Sequence, residues 1–193
     1  HALIRTSTGE LAYITKRFDR KKDKKIHVED LCQLSQLLTE QKYNSSYERV
    51  GKIIKQFASN IGLDAIKYFR LVLVSFLTGN NDMHLKNFSL MHTNHGVLLS
   101  PAYDLINVNL IYPKDKEDMA LTLGGRKRKI KRSDFNQLAQ SLGISELVRD
   151  NIYKDFRRNV DKVKEIIDHS FLTDDFKEKY VQIVHTKLKQ IEL

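Results

Sequence analysis

Residues 63–78 constrain this chain more than any other stretch. Ile66, Phe69, Leu71, Val72, Leu73, Val74, Phe76 and Leu77 leave almost no polar face, and a helix apolar nearly all round has to be buried. The spacing predicts a central helix over 63–78, stopped at Gly79 because glycine takes the left-handed backbone that ends a helix. Its most apolar part, 69–77, is interrupted by Arg70 and Ser75 and is too short to span a bilayer.

Other elements must pack round that helix. Ser46 precedes Tyr47, Val50, Ile53, Ile54 and Phe57, a capped amphipathic helix. From His27, Leu31, Leu34, Leu37 and Leu38 fall on one helical face. Ser133 reads as the N-cap of a helix ended by Gly143. Ser145 caps a long one with Leu147, Val148, Ile152, Phe156, Val160, Val163 and Ile167 inward. Thr173 caps the last, with Phe176, Tyr180, Ile183, Val184, Leu188 and Ile191 inward. Two stretches read as β: residues 11–18, behind a Thr8-Gly9 turn, and a hairpin over 88–100 that turns at Thr93-Asn94-His95-Gly96 and ends at Pro101. The expected fold class is α+β, predominantly α-helical, with a short N-terminal strand and a central β-hairpin.

Charge is local. Of the formal +9, residues 21–25 contribute +3 and the run 126–132 contributes +6, which leaves the remainder neutral. That argues against a surface built all over to coat nucleic acid. Arg126, Lys127, Arg128, Lys129, Lys131 and Arg132 could meet DNA, RNA or an acidic partner, but few aromatics interleave them; the plainer reading is a solvated loop. The single cysteine, Cys32, excludes an internal disulfide and a CxxC zinc module, fits a reducing, cytoplasmic setting, and sits on an apolar face as core. His92 and His95 are three apart across a turn with no cysteine to join them, and read as exposed turn residues rather than zinc ligands. No membrane segment or signal peptide is expected.

The polar loop GNNDMHLKN lies between the central helix and the hairpin, and a polar loop held by rigid elements is where chemistry tends to sit. Phosphoryl transfer needs a carboxylate to orient the attacking hydroxyl, oxygen ligands for Mg²⁺ and a cation near the phosphoryl group. Protein kinases place these as an Asp, an Asn five residues later and a second Asp past a hairpin. Asp82, Asn87 and Asp104 have that order, that spacing and that intervening structure. Any one of them alone would be an ordinary turn residue; the set carries the weight.

The local letters differ from the common kinase signatures, since no His-Arg precedes Asp82 and Tyr103-Asp104-Leu105 stands where Asp-Phe-Gly would be. Asn81-Asp82-x-His84-x-Lys86-Asn87-Phe88-Ser89-Leu90, followed by Pro101-x-Tyr103-Asp104, resembles the HipA family of bacterial serine/threonine kinase toxins. The stretch 11–20, LAYITKRFDR, looks like that family's hinge strand. The resemblance implies a kinase-like C-terminal lobe over 26–193, a remnant of N-lobe and hinge over 1–25, and ATP and Mg²⁺ as cofactors. It implies Asp82 as the base or hydroxyl-orienting residue, Lys86 near the γ-phosphate, Asn87 and Asp104 on Mg²⁺, and His84 supporting the loop or approaching the nucleotide. Backbone around Lys16 and Phe18 would meet the adenine. It further implies a protein substrate, with an aminoacyl-tRNA synthetase as one candidate, and a DNA-binding antitoxin partner.

A kinase also needs a phosphate-covering loop and an N-lobe lysine, and Thr8-Gly9-Glu10 cannot supply them. The chain taken alone is therefore expected to bind ATP weakly and to phosphorylate poorly. Two other readings stand beside this one: a non-enzymatic kinase-like module that binds protein or DNA through 126–132, and, more weakly, a metal-dependent hydrolase using Asp82, His84 and Asp104.

Overall fold

The computed structural model describes residues 2–193. Strands β1 (Ala2–Arg5) and β2 (Leu11–Ile14) form one antiparallel hairpin, and β3 (Arg20–Lys21) and β4 (Lys24–Lys25) a second, very short one. Then follow β5 (Val28–Asp30), α1 (Leu31–Leu34), α2 (Tyr47–Phe57), α3 (Ile61–Leu77), β6 (Ser89–Thr93) and β7 (Gly96–Leu99). The chain ends in helices α4 (Val108–Ile111), α5 (Arg132–Leu142), α6 (Glu146–Arg158), α7 (Val160–Asp168) and α8 (Asp174–Gln190). No helix among the described residues is long and apolar enough to cross a membrane.

The central helix sits where its composition requires. Ala65, Tyr68, Phe69, Val72, Leu73, Phe76 and Leu77 of α3 are buried, with α2, α5 and α8 packed on it. Phe69 and Phe76 both meet Phe135 of α5 edge-on, at ring centroid distances of 6.4 and 5.3 Å. Helix α2 approaches α5 so closely that a Cβ on Gly51 would lie 2.5 Å from Leu142 Cδ2, so a larger residue there would force the Leu142 side chain to move. Ser46 caps α2 through the Arg49 N–H, at 3.2 Å, and Cys32 is buried as expected.

The hairpin 88–100 forms, with Thr93 opposite Gly96 and Leu90 opposite Leu99. It is bolted to α3 by Asp64, fully buried in the first turn of the helix. One Asp64 oxygen accepts the Leu99 N–H at 3.1 Å and the other pairs with Lys67 Nζ at 3.0 Å. A buried carboxylate needs such partners.

Several expected elements change. The helix expected from His27 is instead β5 followed by one turn. β6 recruits residues 28–30 as a third strand, Val28 opposite Met91 and Asp30 opposite Ser89. Asp30 caps α1 by accepting the Gln33 N–H at 2.9 Å, and Gln33 returns the bond. Gln36 then takes a positive φ of 56°, and Leu38 is exposed. The strand expected over 11–18 stops at Ile14, where its register with β1 ends at Ala2↔Ile14.

Helix α5 starts at Arg132, one residue before its expected cap. Asp134 holds the end by accepting the Lys131 N–H at 2.8 Å, and Ser133 is exposed. The long helix from Ser145 breaks at Asn159, whose amide donates to Asp155 O at 2.7 Å and competes with the helical ladder. Leu147 points outward at 71% exposure, since it lies about 140° round the helix from Ile152. Phe57 and Phe176 are also exposed rather than core.

Candidate active site

The loop after α3 is built by its own backbone. Gly79 has φ +71°, and a Cβ there would meet Asn107 Oδ1 at 2.8 Å and Ile183 Cγ2 at 3.0 Å. The chain turns at that point, with Asn80 N–H donating to Ser75 O at 2.8 Å. Asp82 N–H then donates to Asn80 Oδ1 at 3.2 Å. Asp82 O accepts from the His84 N–H at 2.8 Å and from Asn87 Nδ2 at 3.1 Å. The five-residue spacing of Asp82 and Asn87 is thus one closed turn. Asn87 spends its amide nitrogen inside it, and its Oδ1 is the oxygen it can offer a cation.

Met83 and Leu85 are wholly buried and pin the loop from beneath. Tyr47 of α2 donates to Met83 O at 3.0 Å, and Tyr68 of α3 donates to Tyr47 O at 2.8 Å. Phe88 stacks edge-on against both rings, at 6.3 and 5.3 Å. From the side, Leu85 N–H donates to Lys42 O at 3.2 Å.

Asp82 is half-buried, and its Oδ1 accepts the Tyr43 hydroxyl at 2.6 Å. Burial, and then Asp82 itself, push the Tyr43 hydroxyl up to about 12, so it stays a donor. The Tyr43 ring meets His84 edge-on at 5.0 Å. Burial and nearby Lys42 hold the His84 pKa below its ordinary value, so this imidazole is neutral at pH 7.

Tyr103 returns the far side of the hairpin to the loop. Its hydroxyl donates to Lys86 O at 2.6 Å and lies 2.5 Å from Ser89 Oγ, and burial raises it to about 12. Asp104 follows with φ +55°, exposed, and its charge is felt by both Tyr103 and His84. A non-glycine residue held at positive φ stores strain of order 1–3 kcal/mol, the kind found at functional sites. Phe18 packs on Tyr103 at 5.5 Å between ring centroids. Lys86 Nζ pairs with Asp30 Oδ2 at 3.1 Å. The loop thus carries Asp82, His84, Lys86 and Asn87, Tyr103 ties the segment that bears Asp104 to it, and Phe18 packs on Tyr103. Lys16 is exposed, and no hydrogen bond or ion pair among the described residues ties its side chain to the loop.

The donor set suits a hard cation. A carboxylate and an amide oxygen, as Asp104 and Asn87 offer, are ligands of the kind Mg²⁺ takes, with water completing its shell. Asn81 Oδ1 and His84 Nδ1 are buried without a hydrogen-bond partner, and such atoms call for a bound group or water. Asn81 Nδ2, by contrast, is spent on Asp115 Oδ2 at 2.9 Å and Glu117 O at 3.1 Å.

Sequence reasoning missed Tyr43, Asp30 and the linking role of Tyr103. Asp30-x-x-Gln33 is a legible capping signature, but nothing local pairs Asp30 with Lys86 or Tyr43 with Asp82, which stand 56 and 39 residues apart. The basic run is partly committed. Arg126 pairs with Asp134, Lys127 with Glu117, and Arg132 donates to Glu192 O and lies over Tyr153, while Arg128, Lys129 and Lys131 are exposed.

A family model described as the HipA-like C-terminal domain matches residues 1–167. "Putative kinase Y4dM" of Sinorhizobium fredii is 31% identical over 163 residues, 82% of this chain and 39% of its own length. A Haemophilus influenzae protein named "Putative kinase" is 26% identical over 189 residues, 84% of this chain and 55% of its own. Among solved structures, HipA from Shewanella oneidensis MR-1, determined with HipB and operator DNA, superposes with a TM-score of 0.75 at 21% identity. That match covers 92% of this chain and 48% of the HipA chain. The fold is the kinase-like one, and this chain spans about half, or less, of the length of the proteins it matches.

Proposed function

The chain belongs to the HipA-like C-terminal domain family, and from that premise we propose that it is the catalytic-loop lobe of a kinase moving the ATP γ-phosphate to a protein Ser or Thr hydroxyl. The observation that supports this reading is the closed 82–87 turn that joins Asp82 to Asn87, with the Tyr103 hydroxyl bonding the segment just before Asp104 to the same loop. The kinase names of its relatives support it.

Asp82 holds one oxygen against Tyr43 and has the other for the substrate hydroxyl. The hydroxyl oxygen bonds to phosphorus as the bond from phosphorus to the ADP oxygen breaks, and the hydroxyl proton passes to Asp82. Mg²⁺, where bound, neutralises charge on the phosphate oxygens. Asn87 and Asp104 would hold it, and neutral His84 would line the loop without adding charge. Lys86 would face the γ-phosphate from the position where Asp30 now restrains it.

The test is Mg²⁺-dependent transfer of ³²P from ATP by the intact protein. Asp104→Gly should abolish it, since a ligand is lost. The same change should raise stability by roughly 0.5–1 kcal/mol, because glycine takes φ +55° without strain. Unchanged transfer would remove Asp104 from the site, and a lowered melting temperature would refute the strain argument.

The HipA neighbour was solved with HipB and operator DNA, which supports an antitoxin and its DNA as partners here as well. Arg126, Arg128, Lys129 and Lys131 of the basic run are exposed, and of these Arg126 is paired with Asp134. If the other three meet phosphates, log Kd against log salt should have a slope of about 2.7 from this loop, and neutralising all three should remove it. A salt slope that survives their replacement would place the DNA contact elsewhere.

A further inference from the structure

The pairing of β5 with β6 assembles a second group of donors outside the catalytic loop. Extending the register Val28↔Met91 by one residue sets His27 opposite His92, and the His92 N–H donates to His27 O at 2.9 Å. Residues two apart on a strand share a face, so Glu29 stands beside His27 and diagonal to His92. His27 Nε2 and His92 Nε2 lie 3.3 and 3.1 Å from the same atom, Glu29 Oε2. The two imidazole centroids are 4.7 Å apart, and one donor atom from each residue falls within 4.8 Å of the others.

Those separations match a metal polyhedron. Ligands about 2.0–2.1 Å from a tetrahedral zinc ion are about 3.3–3.4 Å from one another. The two Nε2–Oε2 separations are already close to that edge, so small rotations of the two exposed imidazoles would close the site. Two imidazoles and one carboxylate suit zinc and its neighbours rather than Mg²⁺ or Ca²⁺. His95, the partner weighed from sequence, is not in the group; His27, 65 positions before His92, takes its place.

We propose that His27, Glu29 and His92 bind a divalent transition-metal ion of the zinc class, with water in the fourth position. The ion clamps β5 to β6. Glu29 directly precedes Asp30, the partner of Lys86, so the clamp steadies the strand end from which Asp30 reaches the catalytic loop. The site stands on its own geometry and does not depend on the proposed kinase activity.

Titration of the full chain with Co²⁺, a coloured stand-in for Zn²⁺, tests it, with Mg²⁺ in excess to fill oxygen-rich sites. The expected result is a saturable visible band at one equivalent, displaced by Zn²⁺, and a Zn²⁺-dependent rise in melting temperature. His27→Ala and His92→Ala should each weaken binding by about 100-fold, and His95→Ala should not. His27 and His92 are exposed, with Glu29 half-buried between them, so the histidine variants should fold. No saturable band, or equally tight binding by the His27→Ala/His92→Ala double variant, would overturn the proposal.

Discussion

Asp82→Asn in the intact protein should lower phosphoryl transfer by about 10³-fold, within the range a positioned general base contributes, and leave the melting temperature nearly unchanged. The separation follows from which atoms of Asp82 do what. Its backbone carbonyl closes the loop by accepting from the His84 N–H and Asn87 Nδ2. The side chain spends one oxygen on Tyr43, and an Asn side-chain oxygen can still accept that bond. What Asn cannot do is take a proton from the attacking hydroxyl. Single-turnover ³²P transfer, paired with a thermal melt, checks both halves. Transfer within tenfold of the unaltered protein would mean that Asp82 is not the base.

Lys187→Met should destabilise the chain by about 3 kcal/mol, because removing one partner of a buried ion pair leaves the other charge uncompensated. Lys187 is buried in α8, where its ammonium pairs with Asp118 and lies 5.0 Å from the Phe76 ring centroid. Asp118 also accepts Gln190 Nε2 at 3.0 Å and the Ile130 N–H at 3.2 Å. The pair thus ties α8, the basic loop and the central helix together. Urea unfolding measures the loss, and a cost under about 1 kcal/mol would place the pair in effectively aqueous surroundings. Met is near Lys in length and would keep the contact with Phe76, so the loss reports the charge rather than a cavity.

The same pair gives an acid limb. Burial pushes the Asp118 carboxyl up, but the bonds from Lys187 and Gln190 outweigh it and hold the group below its ordinary value. A carboxyl depressed in the folded state stabilises fully above its unfolded pKa, about 3.9. That stability is lost as pH falls below this value through the folded one. Asp118→Asn should therefore flatten the stability profile below pH 4.

What could be read from the sequence was read from local pattern. The central helix, α2 with its Ser46 cap, the hairpin over 88–100 and the Gly143 terminus all appear where expected. The grouping of Asp82 with Asn87 was legible because one turn of backbone joins them. The failures share a cause. The sequence predicts a helix from His27 on the face formed by Leu31, Leu34, Leu37 and Leu38, yet β6 supplies strand partners for residues 28–30, and a ladder formed across sixty residues outweighs that local pattern. Leu147 and Leu38 are apolar, and no neighbour happens to cover them.

The sequence alone determined the family and named the candidate residues of the 81–104 motif, since both depend on which residues follow one another at short range. Tertiary structure decided which side chains hold those residues in place: Tyr43 on Asp82, Asp30 on Lys86, Asp64 on the hairpin, Asp118 on Lys187 and His27 beside His92. Each is a polar contact between distant segments. Hydrophobic periodicity tells which face of a segment turns inward, but not which other segment it will meet there.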